Sequence, residues 1–275
     1  MSKTIDWSHI TFIWQQPASL REDYGKTCAV ESLKDCLWCD TDFIERQLDV
    51  KSGTMKTYQY AQWVRMPDIQ NLNESRMLII GWSQHDVKDR EVHAHMPEVI
   101  SVIQHAIEHK IPVFWICWGH QMIARALSGN PNIVVPVGLY NFGMQQIEAS
   151  SHQLFEGLAP HPYVTMSHSF CVDKDITEKA PGAQIIATSH ADTIVQALAY
   201  AQDWNIVWST QYHPEMIAWD LIPIMLMRKE RLISNLFGDE WKFNEAYTTY
   251  KNFDKPDAWK TMLQNFYSKA MQQWS

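Results

Sequence analysis

Residues 111–121 read IPVFWICWGHQ, and the cysteine in this stretch lies where a short apolar strand must turn into a helix. The residues that follow, QMIARALSG, have the apolar spacing of a helix that ends at Gly129. A helix N-terminus offers N–H donors and a positive dipole end, which stabilise a thiolate. Cys117 is therefore predicted to be a nucleophile if a base lies near it. Without a base, a buried structural thiol is the better interpretation.

The stretch STQYHPE at residues 209–215 supplies a base. An apolar strand, NIVWSTQY, ends there and is followed by His213, Pro214 and Glu215. The two-residue spacing lets the carboxylate hold the imidazole in the tautomer whose other nitrogen faces the thiol. The sequence therefore predicts that Cys117, His213 and Glu215 act together.

Strand and helix patterns alternate through the N-terminal half of the chain. The apolar run after Ser75 ends at Gly81 and is followed by a polar loop, as in a parallel strand with a functional C-terminal edge. We expect strands at 9–14, 57–65 and 75–81, and helices at 31–48 and 102–110. This alternation predicts an α/β fold with a mostly parallel central sheet and helices on both faces.

After Gly129 the pattern changes to short apolar or alternating runs separated by Gly, Pro, Asn and Asp, which predict strands in antiparallel hairpins. Residues 219–236 are predicted to be helical. We expect one domain over 1–236 and an aromatic-rich extension over 237–275, formed by a loop and a last helix from about Lys255. The large rings of this extension should pack on the domain; they are Trp241, Trp259, Phe266 and Trp274.

Composition and charge exclude several classes of function. The net charge of −8 and the pI near 5.8 argue against nucleic acid or an anionic membrane as the main partner. No apolar run is long enough to span a bilayer, and residues 1–14 do not suit a signal peptide. Five cysteines without an export signal favour a cytoplasmic protein with free thiols. Cys36 and Cys39 form a lone CxxC, and we expect neither a metal nor a cofactor.

The two motifs together resemble those of class I, triad-type glutamine amidotransferase domains. That family has Gly-x-Cys-x-Gly-His-Gln at the turn and Gln-Phe-His-Pro-Glu at the base, where this chain has WICWGHQ (115–121) and QYHPE (211–215). The cysteine and the histidine lie 96 positions apart, as is normal for the family. Lesser resemblances fall in the family's order within residues 9–235: IIGWSQ (79–84), YNFGMQQI (140–147), MSHSF (166–170) and IVQALAY (194–200).

The resemblance implies a flavodoxin-like fold with a small antiparallel portion, and roles for the triad. Cys117 would attack the side-chain amide of glutamine, forming a γ-glutamyl thioester. His213 would move the proton, and Glu215 would orient His213. Ammonia would pass to a separate acceptor enzyme, such as a synthetase subunit, or to a separate acceptor substrate.

The resemblance also implies a substrate-binding set for glutamine or a γ-glutamyl compound. Backbone N–H groups at Trp118, and at Gly81 or Trp82, would hold the oxyanion. Gln121 and the backbone of the 167–169 stretch would hold the α-amino and α-carboxyl ends of glutamine. The residues of that stretch are Ser167, His168 and Ser169. His120 and His168 are interpreted either as ligand contacts or as semi-buried histidines with satisfied hydrogen bonds.

The orientation of Trp115 and three alternative functions stay open at this stage. Trp115 replaces the usual glycine, so its ring either enters the substrate pocket and weakens glutamine hydrolysis, or lies behind the sheet. Homoserine O-acyltransferases have a similar turn, but the Glu and Arg with which they hold homoserine correspond here to Ile224 and Met227. The others are a γ-glutamyl peptide hydrolase and a catalytically silent domain that binds a partner or metabolite.

Overall fold

The structure, a computed structural model, describes residues 10–15, 56–59, 72, 75–83, 87, 90–189, 193–202, 205–253 and 258–273. Within these residues, no helix is both long enough and apolar enough to cross a membrane. The predicted helix at 31–48 and the Cys36–Cys39 pair lie outside the described residues.

The described strands form one mixed sheet in the spatial order β2-β1-β3-β4-β10-β9-β7-β5, with β8 paired to β9 and β6 paired to β8. The pairings among β2, β1, β3, β4 and β10 are parallel, and every pairing beyond β10 is antiparallel. The strands are β1 (Ile10–Gln15), β2 (Lys56–Gln59), β3 (Met77–Ser83), β4 (Val113–Ile116), β5 (Val134–Gln146), β6 (Glu148–Ala149), β7 (Tyr163–Val172), β8 (Ala183–Ser189), β9 (Ile194–Gln202) and β10 (Asn205–Thr210).

Helices flank this sheet. They are α1 (Arg90–Glu108), α2 (Trp118–Ser128), α3 (Lys174–Glu178), α4 (Ala218–Met227), α5 (Lys229–Leu232), α6 (Glu240–Lys251) and α7 (Trp259–Gln273). A short 3-10 turn spans Gln153–Phe155, and a π-helical turn spans Ile233–Phe237.

The strand β4 divides the core into two layers, because successive side chains of a strand point to opposite faces. Phe114 and Ile116 pack into a cluster with Met262 and Phe266 of α7. The alternate residues, Val113 and Trp115, pack into a second cluster with side chains of α1 and α2. The short cysteine turn therefore sits between two separately packed layers.

The predicted α/β fold is confirmed, with helices around a mixed central sheet. Its antiparallel part is as extensive as its parallel part, and so is larger than the small portion that the resemblance implied. The loop predicted after residue 237 is wrong, because α6 occupies Glu240–Lys251. Asp239 caps this helix by accepting a hydrogen bond from the backbone N–H of Lys242 at 2.8 Å, a start signal that the sequence contained.

The C-terminal helices pack on the sheet through a few large side chains. The Phe266 ring of α7 lies 5.1 Å from that of Phe114, centroid to centroid, and is fully buried. Tyr250 of α6 packs so closely on Gly143 that a Cβ there would lie 1.9 Å from the tyrosine hydroxyl. The expectation for Trp241 is wrong, since its side chain is 68% exposed. The division of the chain at residue 236 stays a prediction.

Candidate active site

Cys117 occupies a strained turn between β4 and α2. Its φ of 52° lies in the left-handed region, which a residue with a Cβ adopts only when its surroundings impose it. The backbone N–H of Cys117 donates to the carbonyl of Thr210 at 2.7 Å, which ties the turn to the end of β10. A Cβ on Gly119 would approach the carbonyl oxygen of Ile80 to 3.0 Å, so only glycine lets α2 lie this close to the sheet.

His213 and Glu215 form a buried pair just after β10. The imidazole Nδ1 lies 2.7 Å from Oε1 of Glu215, and each side chain is 1% exposed. The backbone N–H of His213 donates to the carbonyl of Thr165 on β7 at 2.8 Å, which holds this loop against the antiparallel half of the sheet. His213 also forms a side-chain hydrogen bond with Cys117. Since Nδ1 is used by the carboxylate, Nε2 is the ring nitrogen available to the sulfur.

The charges beside His213 outweigh its burial. Burial by itself lowers the pKa of the imidazole, but the charges of Cys117 and Glu215, with their hydrogen bonds, raise that pKa well above 6.5. The arrangement therefore favours the protonated form of His213 beside Cys117 and Glu215. Such a group can give a proton to a leaving amine and take one back from water.

A chain of amide groups leads from β7 to the sulfur of Cys117. Nε2 of Gln121 donates to the carbonyl of Phe170 and to Oε1 of Gln211, both at 3.1 Å. Nε2 of Gln211 in turn donates to Sγ of Cys117 at 3.7 Å. The sequence assigned Gln121 to the substrate and missed Gln211, although Gln211 belongs to the QYHPE motif. In the structure, Gln121 is only 6% exposed and its amide nitrogen already has two acceptors.

The predicted oxyanion donors lie at the same edge of the sheet as the cysteine turn. β3 and β4 pair in parallel with Ile80 opposite Trp115. Gly81 and Trp82 follow Ile80 on β3, as Ile116 and Cys117 follow Trp115, so both candidate donors lie at the carboxyl end of β3. Trp118 begins α2 directly after the cysteine, so its N–H belongs to the helix N-terminus.

His120 and His168 are buried, at 0% and 4% exposed, and each forms hydrogen bonds within the protein, while their role as ligand contacts stays a prediction. Nδ1 of His120 lies 2.9 Å from Oγ of Ser209, while its Nε2 has no hydrogen-bond partner. The two ring nitrogens of His168 lie 2.9 Å from the carbonyl oxygen of Phe170 and 3.2 Å from Nδ2 of Asn141. Burial, followed by repulsion from His168, lowers the pKa of His120 to about 3, so this ring is neutral near pH 7.

Ser167 and Ser169 face a cluster that sequence reasoning missed. Oγ of Ser167 lies 2.8 Å from the hydroxyl of Tyr140, which accepts a hydrogen bond from Arg228. Nη2 of Arg231 lies 3.5 Å from Oγ of Ser169. The family resemblance concerned only Ile224 and Met227 of this helix. It therefore predicted no role for the two arginines that follow.

The interpretation that places Trp115 in the substrate pocket is wrong. Its side chain is fully buried and packs in the cluster of α1 and α2, whereas Cys117 belongs to the opposite cluster. The ring carbon Cε3 of Trp115 would lie 3.1 Å from a Cβ on Gly119, so the ring fills the space between β4 and the start of α2. Its Nε1 is buried without a hydrogen-bond partner.

Comparison with known proteins identifies the family. The family model described as "Glutamine amidotransferase class-I" matches residues 68–221, more than half of the chain. The chain belongs to this family. The match includes the cysteine turn and the His-Pro-Glu motif, and ends before Arg228. Among the described residues, no group of three or more His, Cys, Asp and Glu side chains could hold a metal ion.

This class I amidotransferase chain matches a different share of each of its relatives. The glutamine-hydrolysing GMP synthase of Thermotoga maritima is 33% identical over 109 residues, which are 40% of this chain and 19% of that protein. A γ-glutamyl-L-1-hydroxyisopropylamide hydrolase of a Pseudomonas species is 27% identical over 128 residues, 44% of this chain and 41% of that protein. A crystal structure of a Thermotoga maritima glutamine amidotransferase has the same fold, with a TM-score of 0.63 at 15% identity, covering 96% of this chain and 99% of that one.

Proposed function

We propose that this protein hydrolyses the side-chain amide of glutamine, or of a γ-glutamyl compound, through a covalent thioester on Cys117. The observation that carries the proposal is the buried, hydrogen-bonded set of Cys117, His213 and Glu215 at one end of the sheet. Membership in the class I amidotransferase family supports it. We also propose that the ammonia released in this reaction passes to a separate acceptor enzyme or substrate.

The proposed reaction has two halves. In the first, the sulfur of Cys117 attacks the amide carbon, forming an S–C bond and a tetrahedral oxyanion. The C–N bond then breaks, and the leaving nitrogen takes the proton held on His213 and departs as ammonia. In the second, His213 takes a proton from water as the water oxygen attacks the thioester. The S–C bond breaks and its electron pair returns to the sulfur beside protonated His213, and the glutamyl group leaves as a carboxylic acid that gives its proton to solvent.

Backbone donors and two side chains support these charges. We propose the backbone N–H of Trp118, at the start of α2, as one oxyanion donor and that of Gly81 or Trp82 on β3 as the second. Glu215 holds the tautomer of His213 and offsets the imidazolium charge. Gln211 adds a hydrogen bond to the sulfur before the attack.

The structure gives a reason to set the homoserine alternative aside. The position of Ile224, where the acyltransferases have a charged residue, is 3% exposed and packs in the core. The buried, apolar side chain of Ile224 offers no charged group with which to hold a polar acyl acceptor.

A γ-glutamyl amide hydrolase is the second candidate, because one relative carries that activity in its name. The match covers 41% of that relative but only 19% of the GMP synthase. In our proposal the two candidate reactions share the thioester on Cys117 and differ in the leaving group. Ammonia leaves from glutamine, and a larger amine leaves from a γ-glutamyl compound.

The test is a mass measurement of the intact protein after rapid mixing with glutamine and acid quenching. We expect the mass increase of one γ-glutamyl group, located on the peptide that contains Cys117, and none in Cys117→Ala. The matched control is Cys171→Ala, which also removes a buried thiol but one whose pKa burial raises to about 11. An adduct that persists in Cys117→Ala, or amide hydrolysis by that variant at the wild-type rate, would end the proposal.

A further inference from the structure

Two arginines converge on one tyrosine at the rim of the candidate active site. Arg228 follows the last residue of α4 and donates to the hydroxyl of Tyr140. Arg231 lies in α5, and its Cζ is 5.2 Å from the centroid of the Tyr140 ring, while that of Arg228 is 6.0 Å away. Both guanidinium groups thus border the same aromatic ring.

Neither of these two positive charges has a carboxylate partner within the part of the chain that the structure describes. No aspartate or glutamate among the described residues forms an ion pair with Arg228 or Arg231, whereas Lys229 between them pairs with Glu240. Two guanidinium groups held near one ring repel each other, and an anion between them would offset that repulsion. Arg231 is exposed and Arg228 is half-buried, so a solute can reach this pair.

The cluster lies close to the proposed reaction. The carbonyl of Thr165 binds the backbone N–H of His213, and Ser167 follows two residues later on β7, about 7 Å along the strand. The hydroxyl of Ser167 bonds to Tyr140. Ser169, which Arg231 approaches, directly precedes the residue whose carbonyl binds the Gln121 side chain. A small substrate attached to Cys117 would therefore have its far end within reach of these groups.

We propose that Arg228 and Arg231, with Tyr140, form a subsite for a carboxylate group of the amide substrate. The inference rests on the proposed function, because it assigns a substrate feature to the same site. Guanidinium groups bind carboxylates through charge-assisted and often paired hydrogen bonds. The hydroxyl of Tyr140, held between Ser167 and Arg228, fixes the position of the inner guanidinium. The carboxylate is either the α-carboxylate of the glutamyl half or one carried by the leaving amine.

The test compares amide substrates that differ in one carboxylate, with the wild type and Arg231→Met. L-glutamine and its α-amide probe the glutamyl half, and γ-glutamylglycine and its amide probe the leaving half. We expect the wild type to prefer the acid of one pair, with a KM about 10- to 100-fold lower. In Arg231→Met this preference should disappear through a higher KM for the acid, with kcat unchanged, and Arg231→Lys should restore part of it. The pair that responds identifies the source of the carboxylate.

Lys229→Met is the matched control. It removes one positive charge from the same helix, but that charge is already paired with Glu240. It should leave both preferences unchanged. Equal KM values for acids and amides in the wild type, or an unchanged preference in Arg231→Met, would overturn the subsite while leaving Cys117-dependent hydrolysis intact.

A second measurement keeps the inference testable if turnover is too slow to follow. A chloroketone analogue of glutamine, with its α-carboxylate free or amidated, should label Cys117 of the wild type at different rates, and Arg231→Met should remove that difference. A different outcome would contradict the proposed function itself: neither form labels Cys117 and no substrate is hydrolysed. Labelling of Cys117 at equal rates by both forms would exclude an α-carboxylate subsite.

Discussion

Two regions beside Cys117 bury histidines in opposite ways. After β10, His213 is flanked by Glu215 and the cysteine sulfur, and its pKa is raised well above 6.5. At the start of α2, His120 meets a serine hydroxyl and lies near His168, and its pKa is lowered to about 3. Both rings are almost completely inaccessible to solvent.

The difference shows that burial alone does not set the charge of a histidine. Desolvation lowers the pKa of both rings, and only in the β10 region do neighbouring negative groups reverse the result. Buried side-chain atoms without a hydrogen-bond partner occur in both regions: Nε1 of Trp115 and of Trp118 near the start of α2, and Oε2 of Glu215 after β10. We interpret the first region as the one that moves protons and the second as the one that holds the turn in place.

The largest expected effect comes from the β10 region. His213→Asn should lower kcat about a million-fold, and Glu215→Gln about ten-thousand-fold, because the imidazole transfers the proton whereas the carboxylate orients it. Steady-state hydrolysis by both variants measures the difference, with circular dichroism to check the fold. A greater loss in Glu215→Gln would mean that Glu215 does more than orient the ring, and the contrast between the regions would need another cause.

Trp115→Gly tests the structural role of the α2 region. Removing a fully buried ring between β4 and α2 should open a cavity and lower the free energy of unfolding by about 3–5 kcal/mol. Denaturant unfolding measures this loss. Trp241→Gly is the control for stability, since that ring is 68% exposed, although it also places a glycine within α6. Increased glutamine hydrolysis without a loss of stability in Trp115→Gly would show that the ring belongs to the substrate pocket.

The pH dependence of stability sharpens the contrast between the two histidines. The pKa of His120 is about 3 in the folded state, against about 6.5 in the unfolded chain, so the unfolded state binds one more proton between these values. Stability should therefore fall as the pH falls through this window, by about 1.4 kcal/mol per pH unit from this one group. His120→Asn should reduce the slope of unfolding free energy against pH by that amount.

His161→Asn is the control for this measurement, because it removes a histidine from the surface. Equal slopes in the wild type and His120→Asn would show that the His120 ring is protonated in the folded protein, and the contrast with His213 would disappear.

The smallest expected effect concerns Gln211, which links the two regions. Gln211→Leu removes the hydrogen bond to the sulfur and should slow alkylation of Cys117 by iodoacetamide about threefold to tenfold, the worth of one such bond. Gln196→Leu is the control, because it alters a buried glutamine that bonds to Ser189 instead. Equal alkylation rates in Gln211→Leu and the wild type would remove Gln211 from the site.

The sequence predicted the parts of this site that depend on short-range order. The strand before Cys117 and the helix after it follow from apolar spacing and from Gly119 and Gly129, and each lies close to its expected place. The sequence did not predict helix α6, because its apolar residues do not form a clear stripe and only Phe243 among its residues is buried. Packing of α6 against α4, rather than an apolar stripe, supports this helix.

Sequence by itself determined the class of fold, the cysteine turn and the His-Pro-Glu loop, because each is written in a few adjacent residues with restricted backbone geometry. Only the tertiary structure decided on which side of β4 the Trp115 ring lies, since both sides of a buried strand accept an apolar side chain. It also brought Gln211 to the sulfur and Arg231 to Ser169, pairs that are separated by 94 and 62 positions. Contacts at such separations depend on how strands and helices pack, and short motifs carry no record of that packing.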